Sequence, residues 1–291
     1  METMERSSPI LVTGATGNTG QALVAALTRR GATVRGMVRG RDDGARLPAG
    51  TAVAVADFDE PASVTAALAG AERAYLVTPS SERAETQQRR FADLAAEAGV
   101  KHLVVLSQLA AAEDSPVRFL RYHGAVERHV RELGLPYTFL RPNLYFQGLL
   151  AFAGMIAATG QFAAPIGDAA VSAVDVRDIA EVAAVVLTQP GHEYATYTLT
   201  GPEAVTHAQM AAALTAALSR EISFTDATPE AFAASLHGIL PPWQVEGLLE
   251  DYAHYRRGEA AAVSPAVPEI TGRPAVGVAQ FARDYAGAFS R

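Results

Sequence analysis

The first 142 residues alternate short apolar runs with Ala- and Leu-rich stretches of helical period. PILVTG (9–14), ATVRGMVR (32–39), TAVAVAD (51–57), RAYLVTP (73–79), HLVVLSQ (102–108) and PYTFLRP (136–142) read as strands. Between them TGQALVAALTRRG (19–31), 61–69 and 82–98 read as helices, closed by glycines at 31, 70 and 99. Strands that read as unbroken apolar runs, separated by helices, predict a parallel sheet covered on both faces. Beyond Pro142 the pattern loosens into Gly- and Pro-dotted segments, which predicts a smaller lobe over 151–291 after a first domain over 1–150. YATYTLTG (194–201) is strand-like again, so the segment 171–200 is expected to return to the sheet. Thr206 and Gln209 have capping-box spacing and predict a helix start. Asp178 and Glu181 show Asp-x-x-Glu spacing before an apolar run, which reads as a cap in preference to a pair of catalytic carboxylates.

Composition narrows the options. A chain of 291 residues with 49% apolar residues can bury a large core. Its formal net charge of −7, with basic residues clustered no further than pairs such as Arg29-Arg30, argues against a nucleic-acid partner. The absence of cysteine excludes disulfides and thiolate chemistry, and seven scattered histidines without a His-Glu-x-x-His pattern predict no metal. GLLAFAGMIAA (148–158) is too short to span a bilayer, and the N-terminus lacks a signal-peptide core, so the expectation is a cytoplasmic chain without a membrane partner.

The candidate chemistry begins at VTGATGNTGQAL (12–23), where glycines 14, 17 and 20 follow a strand and open a helix. Glycine there permits the tight turn and lets backbone approach a pyrophosphate, while the helix N-terminus offers N–H groups and positive dipole. This predicts a Rossmann-type, doubly wound α/β fold that binds a dinucleotide. Strand two ends in Arg39 and Arg41, where an NAD-preferring site usually has a carboxylate. Arg39 suits a 2′-phosphate, so NADP(H) is favoured over NAD(H), and Arg41 reads as a solvated surface residue.

With the glycine loop, ADFDEPASV (56–64), AYLVTP (74–79), VVLSQLAA (104–111), LPYTFLRP (135–142), VDVRDIAEVAA (174–184) and YTLTGPEAVT (197–206) in this order, the chain resembles the NmrA-like atypical short-chain dehydrogenase/reductases. That group contains NAD(P)H-dependent quinone and azo-type reductases, isoflavone-reductase relatives and cofactor-binding regulators. The resemblance implies that Thr13, Gly14, Ala15, Thr16, Gly17, Asn18, Thr19 and Gly20 wrap the pyrophosphate. It implies that Asp57 and Phe58 lie beside the adenine, that Thr78 and Pro79 border the nicotinamide ribose, and that Ser107 ends the strand facing the reaction. Gln108, Asn143, Tyr145 and Phe146 are the implied substrate contacts, and a homodimer is allowed.

Enzymes with such a loop often place a Tyr and a Lys four residues apart, and here those positions hold Phe119 and His123. Tyr122 projects about 100° round the helix from His123 and does not simply replace the Tyr. His123 is the candidate acid or ribose ligand, with Ser107 and Tyr122 beside it. Glu127, one turn on, could form a surface pair with it. Hydride addition to a ketone makes an alkoxide whose conjugate acid has a pKa near that of water, about 16. Addition to a quinone makes a phenolate, about 10. The difference corresponds to roughly 8 kcal/mol in the product anion. The expected activity is therefore NADPH-dependent reduction of a quinone, a conjugated enone or an imine that is already protonated. The alternatives are an NADP(H)-sensing regulator without turnover, or a redox-neutral cyclase or isomerase using His123.

Overall fold

The computed structural model describes residues 8–290. Eight strands, β1 (Ile10–Val12), β2 (Val34–Val38), β3 (Ala52–Val55), β4 (Arg73–Leu76), β5 (His102–Leu106), β6 (Tyr137–Pro142), β7 (Gln161–Ala164) and β8 (Ala195–Leu199), precede a ninth, β9 (Ser223–Asp226). Seven of them form one sheet in the order β3-β2-β1-β4-β5-β6-β8, and β7 pairs with β9 in a separate ribbon. The pairings from β3 through β6 are all parallel. The order reverses between β1 and β4, which is the switch point where ligands of doubly wound sheets bind.

The helices fall close to their sequence positions: α1 (Asn18–Arg29), α2 (Pro61–Leu68), α3 (Ala84–Glu97) and α4 (Arg118–Glu132) among the strands. They are followed by α5 (Ala153–Thr159), α6 (Val176–Thr188), α7 (His207–Leu218), α8 (Pro229–Leu236) and α9 (Pro242–Arg256). The Thr206 hydroxyl accepts the Gln209 amide hydrogen at 3.1 Å, and Gln209 accepts the Thr206 N–H at 2.7 Å, so the cap starts α7 as its spacing predicts.

The chain divides into two compact units that interleave along the sequence and do not meet at one boundary near residue 150. The first contains the described residues up to Ser107, then Tyr122–Arg141 and Ile179–Tyr197; the second contains Gln108–Arg121, Pro142–Asp178 and the described residues from Thr198 onward. In the first unit Leu11, Leu68, Leu76, Phe91, Leu103 and Phe139 are fully buried in one cluster. In the second, Phe146, Phe162 and Phe281 anchor another.

Two expectations need correction. Strand β3 is not covered on both faces: Val53 and Val55 are each 45% exposed, because β3 is the sheet's edge and an apolar run does not reveal strand order. The cap of α6 is Asp175, three residues earlier than expected. Its Oδ1 accepts the Arg177 N–H at 2.8 Å, while Asp178 lies inside the helix, where its Oδ2 accepts the Val276 N–H at 2.7 Å. The Asp-x-x-Glu spacing was genuine, but tertiary contacts recruited Asp178 elsewhere and an equally good capping residue stood one turn upstream.

Candidate functional site

A cleft of about 550 Å³ opens in the first unit at the carboxyl ends of β1 to β4. The glycine loop forms its floor. Gly14 has φ +55°, and a Cβ there would meet Val77 Cγ1 at 2.6 Å. A Cβ on Gly20 would sit 2.1 Å from the Gly14 carbonyl oxygen, so helix α1 can start against the loop only with hydrogen at that position. The Gly17 N–H donates to Gly14 O at 2.9 Å and closes the turn. Such a loop, leading into a helix N-terminus, fits a pyrophosphate.

Of the residues the resemblance singled out, the structure brings Gly14, Thr16, Gly17, Thr19, Arg39, Asp57, Phe58, Thr78 and Pro79 into the walls of this cleft. Thr13 and Ala15 are buried beneath it. The Thr13 hydroxyl donates to Val77 O at 2.9 Å and accepts the Val77 N–H at 2.8 Å, stitching β1 to the end of β4. Asn18 and Gly20 belong to α1, and neither lines the cleft. The Thr78 hydroxyl accepts from Gln88 Nε2 at 2.8 Å, which fixes the wall after β4. Arg39 is exposed on the cleft rim, and Arg41 does not line it. Arg46, which the sequence reading passed over, does line it, and its guanidinium donates to Thr16 O at 3.1 Å. It arrives on a 3₁₀ helix, Arg41–Arg46, whose Asp43 caps the Gly40 N–H at 3.1 Å. The Asp43 cap spacing was the available signal. Two guanidinium groups at the end of the cleft after β2 fit a doubly charged phosphate better than a bare ribose.

At the end of β5, Ser107 is buried and its hydroxyl donates to Glu127 Oε1 at 2.6 Å. Glu127 is 1% exposed and is held by Arg141, through Nε at 2.8 Å and Nη2 at 2.5 Å, and by Arg131 at 2.9 Å. The alternative, a His123–Glu127 surface pair, does not form, since both residues are buried and the carboxylate is taken by two arginines and a serine. Because the Ser107 hydrogen is committed to a carboxylate, its oxygen retains only acceptor capacity. His123 is 8% exposed, and its Nδ1 has no hydrogen-bond partner among the described residues. Burial, with Arg141 nearby, holds its imidazole down at about 3, so it is neutral near pH 7. Its ring lies 4.1 Å from that of Tyr122, whose hydroxyl is 3.5 Å from Ser80 Oγ.

The other half of the missing pair serves a packing role. Phe119 in the second unit packs against Trp243 with centroids 5.3 Å apart. Its ring lies where a Cβ on Gly247 would sit, 2.3 Å from the ring edge. Of the four implied substrate contacts, Tyr145 lines a cavity of about 380 Å³ in the second unit. Asn143 is buried and donates to Ser172 Oγ and Ala260 O, both at 2.8 Å. Phe146 stacks on Phe281 in the core. Gln108 Nε2 donates to both oxygens of Asp251 at 3.1 Å. Burial pushes that carboxyl up to about 7. Among the described residues no cluster of three or more His, Asp or Glu is placed to hold a metal ion, and no helix is long and apolar enough to cross a membrane.

The chain is 37% identical over 282 residues to an NAD(P)H azoreductase of Xenophilus azovorans, covering 96% of this chain and 99% of that one. It is 36% identical over 282 residues to a (4-alkanoyl-5-oxo-2,5-dihydrofuran-3-yl)methyl phosphate reductase of Streptomyces griseus, covering 97% and 99%. The crystal structure of an Escherichia coli NADPH-dependent quinone oxidoreductase complexed with NADPH superposes with a TM-score of 0.85 at 29% identity, covering 94% of this chain and 98% of that one. The model of the NmrA-like family matches residues 6–268. With the glycine loop, the strand order and this match over most of its length, the chain belongs to the NmrA-like family.

Proposed function

We propose that this protein is an NADPH-dependent reductase that delivers a hydride to a small conjugated or aromatic acceptor of the quinone, enone or imine type. The observation that carries this reading lies at the two positions where related enzymes often have Tyr and Lys. Phe119 is a packing residue there, and His123 is buried and neutral. Neither supplies a proton readily near pH 7. Quinones and enones, whose reduced form is a stabilised anion, and imines already protonated, which give a neutral amine, need no strong acid; a simple ketone does. The 37% identical azoreductase and the superposing quinone oxidoreductase support an aromatic acceptor.

Bound in the cleft, the dihydronicotinamide would supply the hydride. The chain's own residues bind and orient. Amides of the 14–17 turn and the start of α1 would hold the pyrophosphate, and Arg39 and Arg46 would fork onto the 2′-phosphate. Asp57 and Phe58 would flank the adenine, and Thr78 and Pro79 the nicotinamide ribose, since all four line the cleft. Ser107, an acceptor only, receives a hydrogen bond from the bound nucleotide or from the protonated product, and the neutral imidazole of His123 positions without donating charge. Tyr122 is the remaining hydroxyl beside it. A neutral imidazole at His123 favours the reductase reading over a redox-neutral one that would use it as an acid.

The test is a titration with NADPH and NADH followed by reduced-nicotinamide oxidation across an acceptor panel. If one third of the roughly 8 kcal/mol difference in anion stability reaches the transition state, quinones turn over about 100-fold faster than simple ketones. Tight NADPH binding with no turnover of any quinone, enone, azo compound or iminium would reject the proposal.

A further inference from the structure

The 380 Å³ cavity of the second unit lies within the size range of small-molecule sites, roughly 300–1,000 Å³. Its wall is hydrocarbon and ring, with Leu144, Leu149, Phe152, Met210, Phe232 and Leu248 among its members. Among the described residues that line it there is no Lys, Arg, Asp or Glu. Two of the six large apolar side chains exposed on the described surface, Met155 at 43% and Ile239 at 72%, belong to the same lining. Exposed apolar side chains continuous with an apolar cavity mark an entrance for an apolar ligand.

The polar side chains on this wall are Tyr145, Tyr252, Ser235 and His207. The Ser235 hydroxyl has its hydrogen committed to Phe232 O at 2.7 Å. His207 is 2% exposed and sits among the rings of Phe162, Phe224 and Tyr252, with centroids 6.1, 5.3 and 6.1 Å away. Its Nδ1 has no hydrogen-bond partner among the described residues. Burial holds the imidazole at about 4, so near neutrality it offers a donor and an acceptor without charge.

We propose that this chamber takes the apolar body of an uncharged aromatic acceptor, with the His207 imidazole as its polar contact, and turns away acceptors that carry a sulfonate or carboxylate. The inference rests on the reductase reading above and narrows it by charge. An aromatic hydrocarbon body gains by leaving water for such a wall. An anion entering it would lose its hydration and find no cation in exchange.

The test is isothermal titration of the full-length protein, with and without NADP⁺, using menadione as the uncharged quinone and naphthoquinone sulfonate as its anionic analogue. Menadione is expected to bind at least about ten-fold more tightly. His207→Phe keeps an aromatic ring and removes both nitrogens, and is expected to weaken menadione binding about ten-fold. Met155→Arg, on the exposed side of the entrance, adds the missing cation and is expected to improve sulfonate binding about ten-fold; the NADPH-induced thermal shift reports whether each variant is folded. Equal affinity for the two quinones, or sulfonate binding that Met155→Arg leaves unchanged, overturns the proposal. Failure of menadione to bind while quinone turnover persists sinks this inference alone, whereas binding of menadione with no turnover of any acceptor in the panel sinks the reductase reading.

Discussion

Removing the Glu127 carboxylate is the sharpest probe of the site's framework. The group is 1% exposed and accepts from Ser107, from Arg131 and twice from Arg141 at 2.5–2.9 Å. In Glu127→Ala the two guanidinium groups lose their counter-charge. Breaking a buried ion pair costs about 3–5 kcal/mol when the surviving charge stays buried. The Arg131 and Arg141 side chains are 43% and 24% exposed and can rehydrate in part, which favours the lower end, about 3 kcal/mol. At about 2–4 °C per kcal/mol, the melting temperature should fall by roughly 6–12 °C. Glu127→Gln keeps an acceptor for Ser107 while losing the charge, and should lose about half as much. Scanning calorimetry of Glu127→Ala, Arg141→Ala and the double variant checks the account. The double should be less destabilised than the sum of the singles by about 1–3 kcal/mol. Strict additivity, or a fall below about 2 °C in Glu127→Ala, would show that the network is not what holds Ser107 at the end of β5.

Gly20→Ala places a methyl group 2.1 Å from the Gly14 carbonyl oxygen, so the thermal shift produced by NADPH should vanish; a normal shift would mean that the loop is not a phosphate cradle. Arg39→Ala should weaken NADPH binding by about 10- to 100-fold through loss of a charge-assisted contact while leaving NADH nearly unaffected, and equal losses for both nucleotides would place Arg39 outside the 2′-phosphate site. Asp251 has a folded-state value raised from 3.8 to about 7, so its protonated form stabilises the fold below about pH 4, and that contribution is lost as pH rises through 7. The span corresponds to about 4 kcal/mol at most. The depressed imidazoles of His123 and His207 contribute the opposite slope below about pH 6.5 to both proteins, so the test is a difference: in denaturant unfolding between pH 4 and 8 Asp251→Asn should gain stability relative to the wild type as pH rises, and a difference that stays constant with pH would remove Asp251 as its source.

The sequence by itself determined the parallel sheet, the helices between its strands, the glycine cradle and the basic rim at Arg39. These are local properties: side-chain periodicity, a positive φ at Gly14 and a capping residue are each set within a few positions of the chain. The tertiary structure decided the rest. Glu127 acquires its partners from positions 107, 131 and 141, and only the Arg131 contact follows from helical spacing. The same burial that removes His123 from water removes its charge, which no residue pattern around position 123 announces. Tyr145, Met155, His207, Ile239 and Tyr252 come together around one cavity although more than a hundred residues separate its first and last members. Burial and electrostatics depend on which distant segments share a neighbourhood, and chain periodicity carries no record of that.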